Sequence, residues 1–163
     1  TNFKEIIEGD IEKLGIESIF EPYGYDLITL PMHSSEWSSI LFNLYTNSKK
    51  AIKRKGNSGK IKVVVGKEGT NVYLEFADNG DGIPEENAKR VFDPFFTTSS
   101  PVGFEASDDE KLTGTGLGLK IVKDTVQTYG GAIEVIKPES GYSTCFRIEL
   151  PMSTQVQREE YGI

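Results

Sequence analysis

One predicted helix constrains the rest of this chain. From Trp37 onward, Trp37, Ile40, Leu41, Leu44, Ser48 and Ala51 recur at helical spacing and form a stripe expected to bury against a sheet. Ser34 or Ser35 can cap this helix, and Glu36 in its first turn suits the helix dipole. Beside the apolar stripe runs a polar one, with Asn43, Asn47 and Lys50 at i, i+4 and i+7. A lone Asn-Asn-Lys stripe is most often a solvated face, so its meaning depends on the downstream sequence.

Three further blocks stand there in a fixed order. The first is Asp78-Asn-Gly80-Asp81-Gly82-Ile-Pro84, in which a carboxylate ends a hydrophobic run and precedes a glycine turn. A carboxylate only accepts hydrogen bonds, so it can take the amino group of adenine and refuse the carbonyl of guanine. Gly80 and Gly82 would let a base approach the backbone, whereas Asp81 is better suited to shaping the turn. The second block, Phe92-Asp-Pro-Phe95-Phe96, supplies aromatics of which at least two belong in a core. The third, Gly114-Thr-Gly116-Leu-Gly118-Leu, opens a helix and so presents backbone N–H groups at its positive end, where phosphates bind without basic side chains. It is neither a P-loop nor a dinucleotide fingerprint, because Leu119 stands where the latter has glycine. Taken alone, each block has a plain alternative: an ordinary Asp-Asn-Gly turn, core packing, a flexible linker. Together they describe a nucleotide site with hard amide donors suited to magnesium and a lysine suited to phosphate.

The remaining pattern supplies a scaffold. Residues 2–14 read as an amphipathic helix ended by Gly15, and 16–20 and 27–30 as short strands. The stretch 49–60 is basic and glycine-rich and reads as a loop; 61–66 and 72–77 read as a hairpin. A short helix is expected from Ile83, with Pro84 in its first turn, and a clear one over 117–129. A closing hairpin over 132–136 and 143–150 completes the set. Residues 97–113, with few apolar groups, read as a long loop, of a kind that is functional or disordered. The expected fold is a two-layer α/β sandwich, with one mixed sheet and three main helices, over 1–152 and a polar tail over 153–163.

A length of 163 residues fits one domain, and a net charge of −7 argues against a nucleic-acid or membrane-surface role. An anionic nucleotide must then be held by local donors and a cation. The single cysteine, Cys145, sits in an apparent strand as a small buried hydrophobe and fits a reducing compartment. With no leader or bilayer-length apolar run in view, a cytoplasmic location is expected, compatible with a membrane-anchored parent.

From the first helix to Pro151 the order and wording of the blocks resemble the catalytic, ATP-binding domain of sensor histidine kinases, within the wider group that includes DNA gyrase B and MutL. The resemblance implies the same sandwich, with ATP between the helices under a mobile lid over 97–113. It implies that Asn47 binds magnesium, with Asn43 and Lys50 assisting at the phosphates as the catalytic pair. It implies that Asp78, Gly80, Gly82 and Ile83 hold the base, and that Thr113, Gly114, Thr115, Gly116, Leu117, Gly118 and Leu119 form the cradle, with Lys111 of the lid reaching the terminal phosphate. Phe92 belongs to the site as aromatic support that, with Phe95 and Phe96, anchors the lid. Ser48 stands where the family often has alanine, a small change on the packed side.

Relatives that split water place a glutamate one helical turn before the magnesium asparagine. This chain has Asn43 there, and Glu36 lies two turns further back. An amide is no base at neutral pH, which favours transfer to a histidine over hydrolysis. The only histidine, His33, lies between a strand and the long helix and reads as a turn residue. The resemblance therefore places the acceptor on a dimerisation domain of the same protein, upstream, with a response-regulator receiver domain as the next partner. The alternatives are a gyrase- or MutL-type ATPase and a non-catalytic ATP-binding module.

Overall fold

The computed structural model describes residues 3–21, 32, 34–56, 58–96, 116–153, 159–160 and 162. The expected strand over 27–30, His33, the lid, Lys111, Thr113, Gly114 and Thr115 lie outside these residues. In chain order the elements are α1 (Phe3–Leu14), β1 (Glu17–Glu21), α2 (Ser34–Lys55), β2 (Lys60–Glu68), β3 (Asn71–Asp78), α3 (Gly118–Thr128), β4 (Ala132–Ile136) and β5 (Thr144–Pro151). The five strands form one sheet in the order β1-β2-β3-β5-β4. β1 runs parallel to β2 and every other pair is antiparallel, so the sheet is mixed. A parallel pair needs a crossover connection, and α2 lies in the one between β1 and β2.

Alternation along β3 decides which face is inside. Val72, Leu74 and Phe76 are buried, and the register sets Val63, Phe76, Phe146 and Val135 in one row across four strands. The helices cover this face. α1 contributes Ile7 and Ile11, α2 contributes Ile40, Leu44 and Ile52, and α3 contributes Val122 and Val126. α1 is also tied to α2 by polar contacts, with Asp10 Oδ2 accepting from the Tyr45 hydroxyl at 2.5 Å and from Lys49 Nζ at 3.0 Å. The hydroxyl holds the Asp10 carboxyl below the ordinary range, while burial and Asp10 push the Tyr45 phenol up.

On the outer face Arg147 stacks over the Tyr73 ring at 4.2 Å and pairs with Glu75 at 2.7 Å, Glu149 at 2.9 Å and Glu68. Cys145 is buried there, and burial pushes its thiol up to about 12, in keeping with an inert packed side chain.

Two sequence expectations need correction. The basic run is not a loop from residue 49: α2 continues to Lys55, and Gly56, at φ 73°, closes it by donating to the Ile52 carbonyl at 3.0 Å. Ala51 and Ile52 carry the buried stripe into this last turn, and Lys53, Arg54 and Lys55 suit its negative end. After Pro84 there is no single short helix but two 3₁₀ turns, Glu85–Asn87 and Arg90–Phe92. Only Val91 and Phe92 of these are buried, so there is no apolar stripe to sustain an α-helix.

Candidate nucleotide-binding site

Where β3 and β5 meet the end of the sheet, the apolar rows give way to a polar one. Asp78 and Thr144 are register partners, both buried, on the same face as Phe76 and Phe146. A cavity of about 440 Å³ opens in front of them, a size suited to a nucleotide. α2 lines it with Asn43, Thr46, Asn47 and Lys50, the turn after β3 with Gly82, Ile83 and Pro84, and the start of α3 with Gly116, Leu117, Gly118 and Leu119. Thr144 and Phe146 line it from the sheet.

Asp78 is 2% exposed, and both of its oxygens are held. Oδ1 accepts the Gly80 N–H at 2.9 Å and Oδ2 accepts the Ser48 hydroxyl at 2.7 Å. Burial nevertheless pushes its carboxyl from 3.8 up to about 6; the two hydrogen bonds and Arg54 oppose the rise, and Asp81 adds to it. A buried carboxylate at a cavity wall, kept short of neutral by two donors, is a strong acceptor for a ligand N–H.

The turn is fastened to the last turns of α2, whose Ala51 and Arg54 also line the cavity. Arg54 makes a fork to Asp81 at 2.7 and 3.1 Å, and the Asp81 N–H donates to the Ala51 carbonyl at 3.2 Å. A Cβ on Gly80 would come within 2.5 Å of the Ala51 backbone. Gly80 is therefore a packing glycine that lets the turn lie on α2 and presents its N–H to Asp78; it is not a lining residue, whereas Gly82 is.

At the other end, the Asn43 amide donates to the Ser39 carbonyl at 2.8 Å. A Cβ on Gly118 would meet Asn43 Oδ1 at 2.7 Å, so α3 starts close against this side chain and a larger residue would displace the amide. The opening N–H groups of α3 have no intrahelical partners, which gives the cavity a donor cluster at a positive helix end. Gly116, at φ 69°, accepts from the Phe95 N–H at 3.1 Å, so the segments flanking residues 97–115 are joined. Phe95 itself sits at φ 63°, an unusual conformation for a bulky residue, and is 73% exposed. Phe96 lines the cavity under Arg90, whose guanidinium lies 5.0 Å from the ring centroid. Phe92 is buried behind the wall, edge-on to Phe146 at 6.2 Å.

Asn47 Nδ2 is buried and has no hydrogen-bond partner among the described residues. An orphaned buried amide on a cavity wall is costly unless a ligand completes it. Among the described residues no group of three or more His, Cys, Asp or Glu could hold a metal. A divalent cation here would need oxygen ligands from elsewhere, as magnesium takes them from phosphates and water, and the neutral amides beside it fit that chemistry.

The sequence from 33 to 154 matches the family described as histidine kinase-, DNA gyrase B-, and HSP90-like ATPase. The chain belongs to this family. Among its relatives is the sensor histidine kinase GlrK of Escherichia coli (strain K12), 36% identical over 71% of this chain, which spans only 22% of that protein. The fold matches the nucleotide-free catalytic domain of histidine kinase ThkA with a TM-score of 0.72 at 30% identity, covering 92% of this chain and 88% of that one. A second solved structure, ThkA in complex with the response regulator protein TrrA, gives a TM-score of 0.64 at 27% identity, over 93% of this chain and 38% of that one. The α/β sandwich with one mixed sheet and three helices is thus the fold of a histidine kinase catalytic domain. Among the described residues no helix is long and apolar enough to cross a membrane.

Of the site residues drawn from the sequence, Asn43, Asn47, Lys50, Asp78, Gly82, Ile83, Gly116, Leu117, Gly118 and Leu119 come together around one cavity, while Gly80 and Phe92 stand behind its wall. Glu36 is remote from it, bound to the Tyr129 hydroxyl at 2.5 Å beside the C-terminal end of α3. Sequence reasoning missed Thr144, whose place depends on a cross-strand register. It also undervalued Ser48, although a polar residue on a buried stripe is itself a signal that a partner lies opposite.

Proposed function

We propose that this chain binds Mg-ATP and transfers its γ-phosphoryl group to a histidine on a dimerisation domain of the same protein, for relay to an aspartate of a response regulator. One observation carries the choice of acceptor. Asp78 is the only carboxylate among the described residues lining the cavity, and its oxygens are engaged at the end of the cavity away from Gly118. At the end where the phosphates would lie stands Asn43, an amide held by Ser39. Among the described residues nothing there can take a proton from water, whereas an imidazole brings its own nucleophilic nitrogen.

In this reading Asp78 accepts the adenine amino group, and the N–H groups opening α3 hold the phosphates with Lys50. Asn47, assisted by Asn43, holds magnesium, which when bound supplies charge neutralisation between phosphate oxygens. The histidine nitrogen attacks the γ-phosphorus, the bond to the bridging oxygen breaks, and ADP leaves with the electron pair. The protein's share is alignment and a dry, donor-lined pocket. The ThkA–TrrA complex supports a response regulator as the downstream partner.

The test is γ-labelled ATP with magnesium, given to the chain alone and together with the histidine-bearing segment of its parent. Acid-labile, base-stable label on that segment, with little free phosphate from the chain alone, is expected. Steady phosphate release without labelled protein would overturn the reading in favour of an ATPase; binding without either would leave a regulatory module.

A further inference from the structure

Ser48 is fully buried on α2, directly after Asn47 and in line with Leu44 and Ala51 on the packed stripe. A helical hydroxyl usually bonds back to the carbonyl one turn earlier. Thr46, Thr125 and Thr128 do this here, at 2.8, 2.9 and 2.9 Å. Ser48 instead reaches across to the sheet and donates to Asp78 Oδ2 at 2.7 Å. The opposite oxygen is held by the Gly80 N–H at 2.9 Å. One donor on each oxygen fixes the plane of the carboxylate, one from the helix and one from the turn.

We propose that Ser48 is the positioning residue for base recognition, clamping the Asp78 carboxylate from α2 so that it meets the 6-amino group of a purine. The proposal rests on the reading of Asp78 as the acceptor for adenine. Without the hydroxyl, Oδ2 loses the donor that α2 supplies to it. The carboxylate can then turn about its bond to Cβ, with the Gly80 contact to restrain it. A buried acceptor aimed by two donors discriminates ligands by direction; one aimed by a single donor does so poorly. The clamp also joins the two ends of the site. Consecutive residues of one helical turn, Asn47 and Ser48, serve the phosphate side and the base side, so a shift of α2 would move both.

The test uses the 163-residue chain, its Ser48→Ala and Ser48→Thr variants, and two nucleotides, ATP and the purine riboside triphosphate that lacks the 6-amino group. Affinities are measured by titration calorimetry in magnesium, with thermal unfolding as a check on folding. The unmodified chain should prefer ATP by about tenfold or more, the range of a hydrogen bond to a charged acceptor. In Ser48→Ala this preference should fall to within about threefold, with affinity for the analogue nearly unchanged, and Ser48→Thr should restore part of it. Equal losses for both nucleotides would overturn the proposal, since a residue that only shapes the pocket cannot tell them apart. A preference that survives in Ser48→Ala would overturn it alone and leave Asp78 as the acceptor. No preference in the unmodified chain would remove the Asp78 reading, and the proposal with it.

Discussion

Replacing Asp78 by asparagine should make the nucleotide-free protein more stable while removing its hold on ATP. The carboxyl of Asp78 is 2% exposed, and burial raises it from 3.8 to about 6. Such a shift corresponds to about 3 kcal/mol of destabilisation when the group is ionised, at about 1.36 kcal/mol per pK unit. Asparagine fits the same space and keeps both contacts: its oxygen accepts the Gly80 N–H, and its NH₂ donates to the Ser48 oxygen, a hydroxyl that serves as acceptor as readily as donor. The second amide hydrogen gains no partner from these contacts, which costs about 1 kcal/mol. The net gain should be about 2 kcal/mol at pH 8, or about 4–8 °C in Tm for a domain of this size. The gain depends on pH in a defined direction. Above about pH 6 the carboxyl is ionised both folded and unfolded, so the unmodified protein bears the full cost of burial. As pH falls from 6 towards 3.8 the folded state takes up the proton first, the unmodified protein gains, and the gap closes. Urea unfolding of both proteins at pH 8 and pH 4.5, without nucleotide, measures the gap. Saturating ATP should raise the midpoint of the unmodified protein and leave that of Asp78→Asn where it was. An asparagine variant no more stable at pH 8, or a gap indifferent to pH, would refute the claim that stability is given up at this position for binding.

Asn47→Ala should remove the magnesium dependence of ATP affinity, measured by titration with magnesium and with EDTA; a normal magnesium response would contradict its role. Gly80→Ala drives a Cβ to 2.5 Å from the Ala51 backbone and should cost about 1–3 kcal/mol in urea unfolding, through displacement of the turn from α2. Gly118→Ala brings a Cβ to 2.7 Å from Asn43 Oδ1 and, with the phosphates held as proposed, should weaken triphosphate binding more than adenosine binding. Phe95→Gly relieves a φ of 63° and removes a ring that is 73% exposed, so stability should hold or rise by up to about 1 kcal/mol.

Much of this architecture is written in local periodicity. The two stripes of α2, the alternation in β3 and the glycine block opening α3 each depend on residues within a few positions of one another, and each element takes the expected form. The misreadings share a cause. The basic end of α2 resembles a loop when charge and glycine are weighed without the buried Ala51 and Ile52 between them. Thr144 is invisible in the sequence because only the register of β3 on β5 puts it beside Asp78. A glycine beside a carboxylate suited to adenine invites a ligand role, but the steric demand on Gly80 comes from Ala51, far away in sequence. Long-range contact decides these positions, and one strand or helix read by itself cannot show it.

The same logic explains why the site lies where it does. A two-layer sandwich buries one face of its sheet completely only while both layers continue. At the end of β3 the helix layer opens, because Gly80 and Asp81 fold back on the last turns of α2 and Gly118 lets α3 begin against Asn43. Asp78 therefore occupies a position that pattern alone would fill with an apolar residue, the next inward-facing site after Phe76. The fold tolerates the charge because two donors hold it, and the site exists because those donors leave it able to accept one more. Asn47, elsewhere on the same cavity wall, carries a buried amide nitrogen with no partner among the described residues, a donor left for a ligand to complete. A buried charge and an unpartnered buried amide on one cavity wall are what a site completed by its ligand requires.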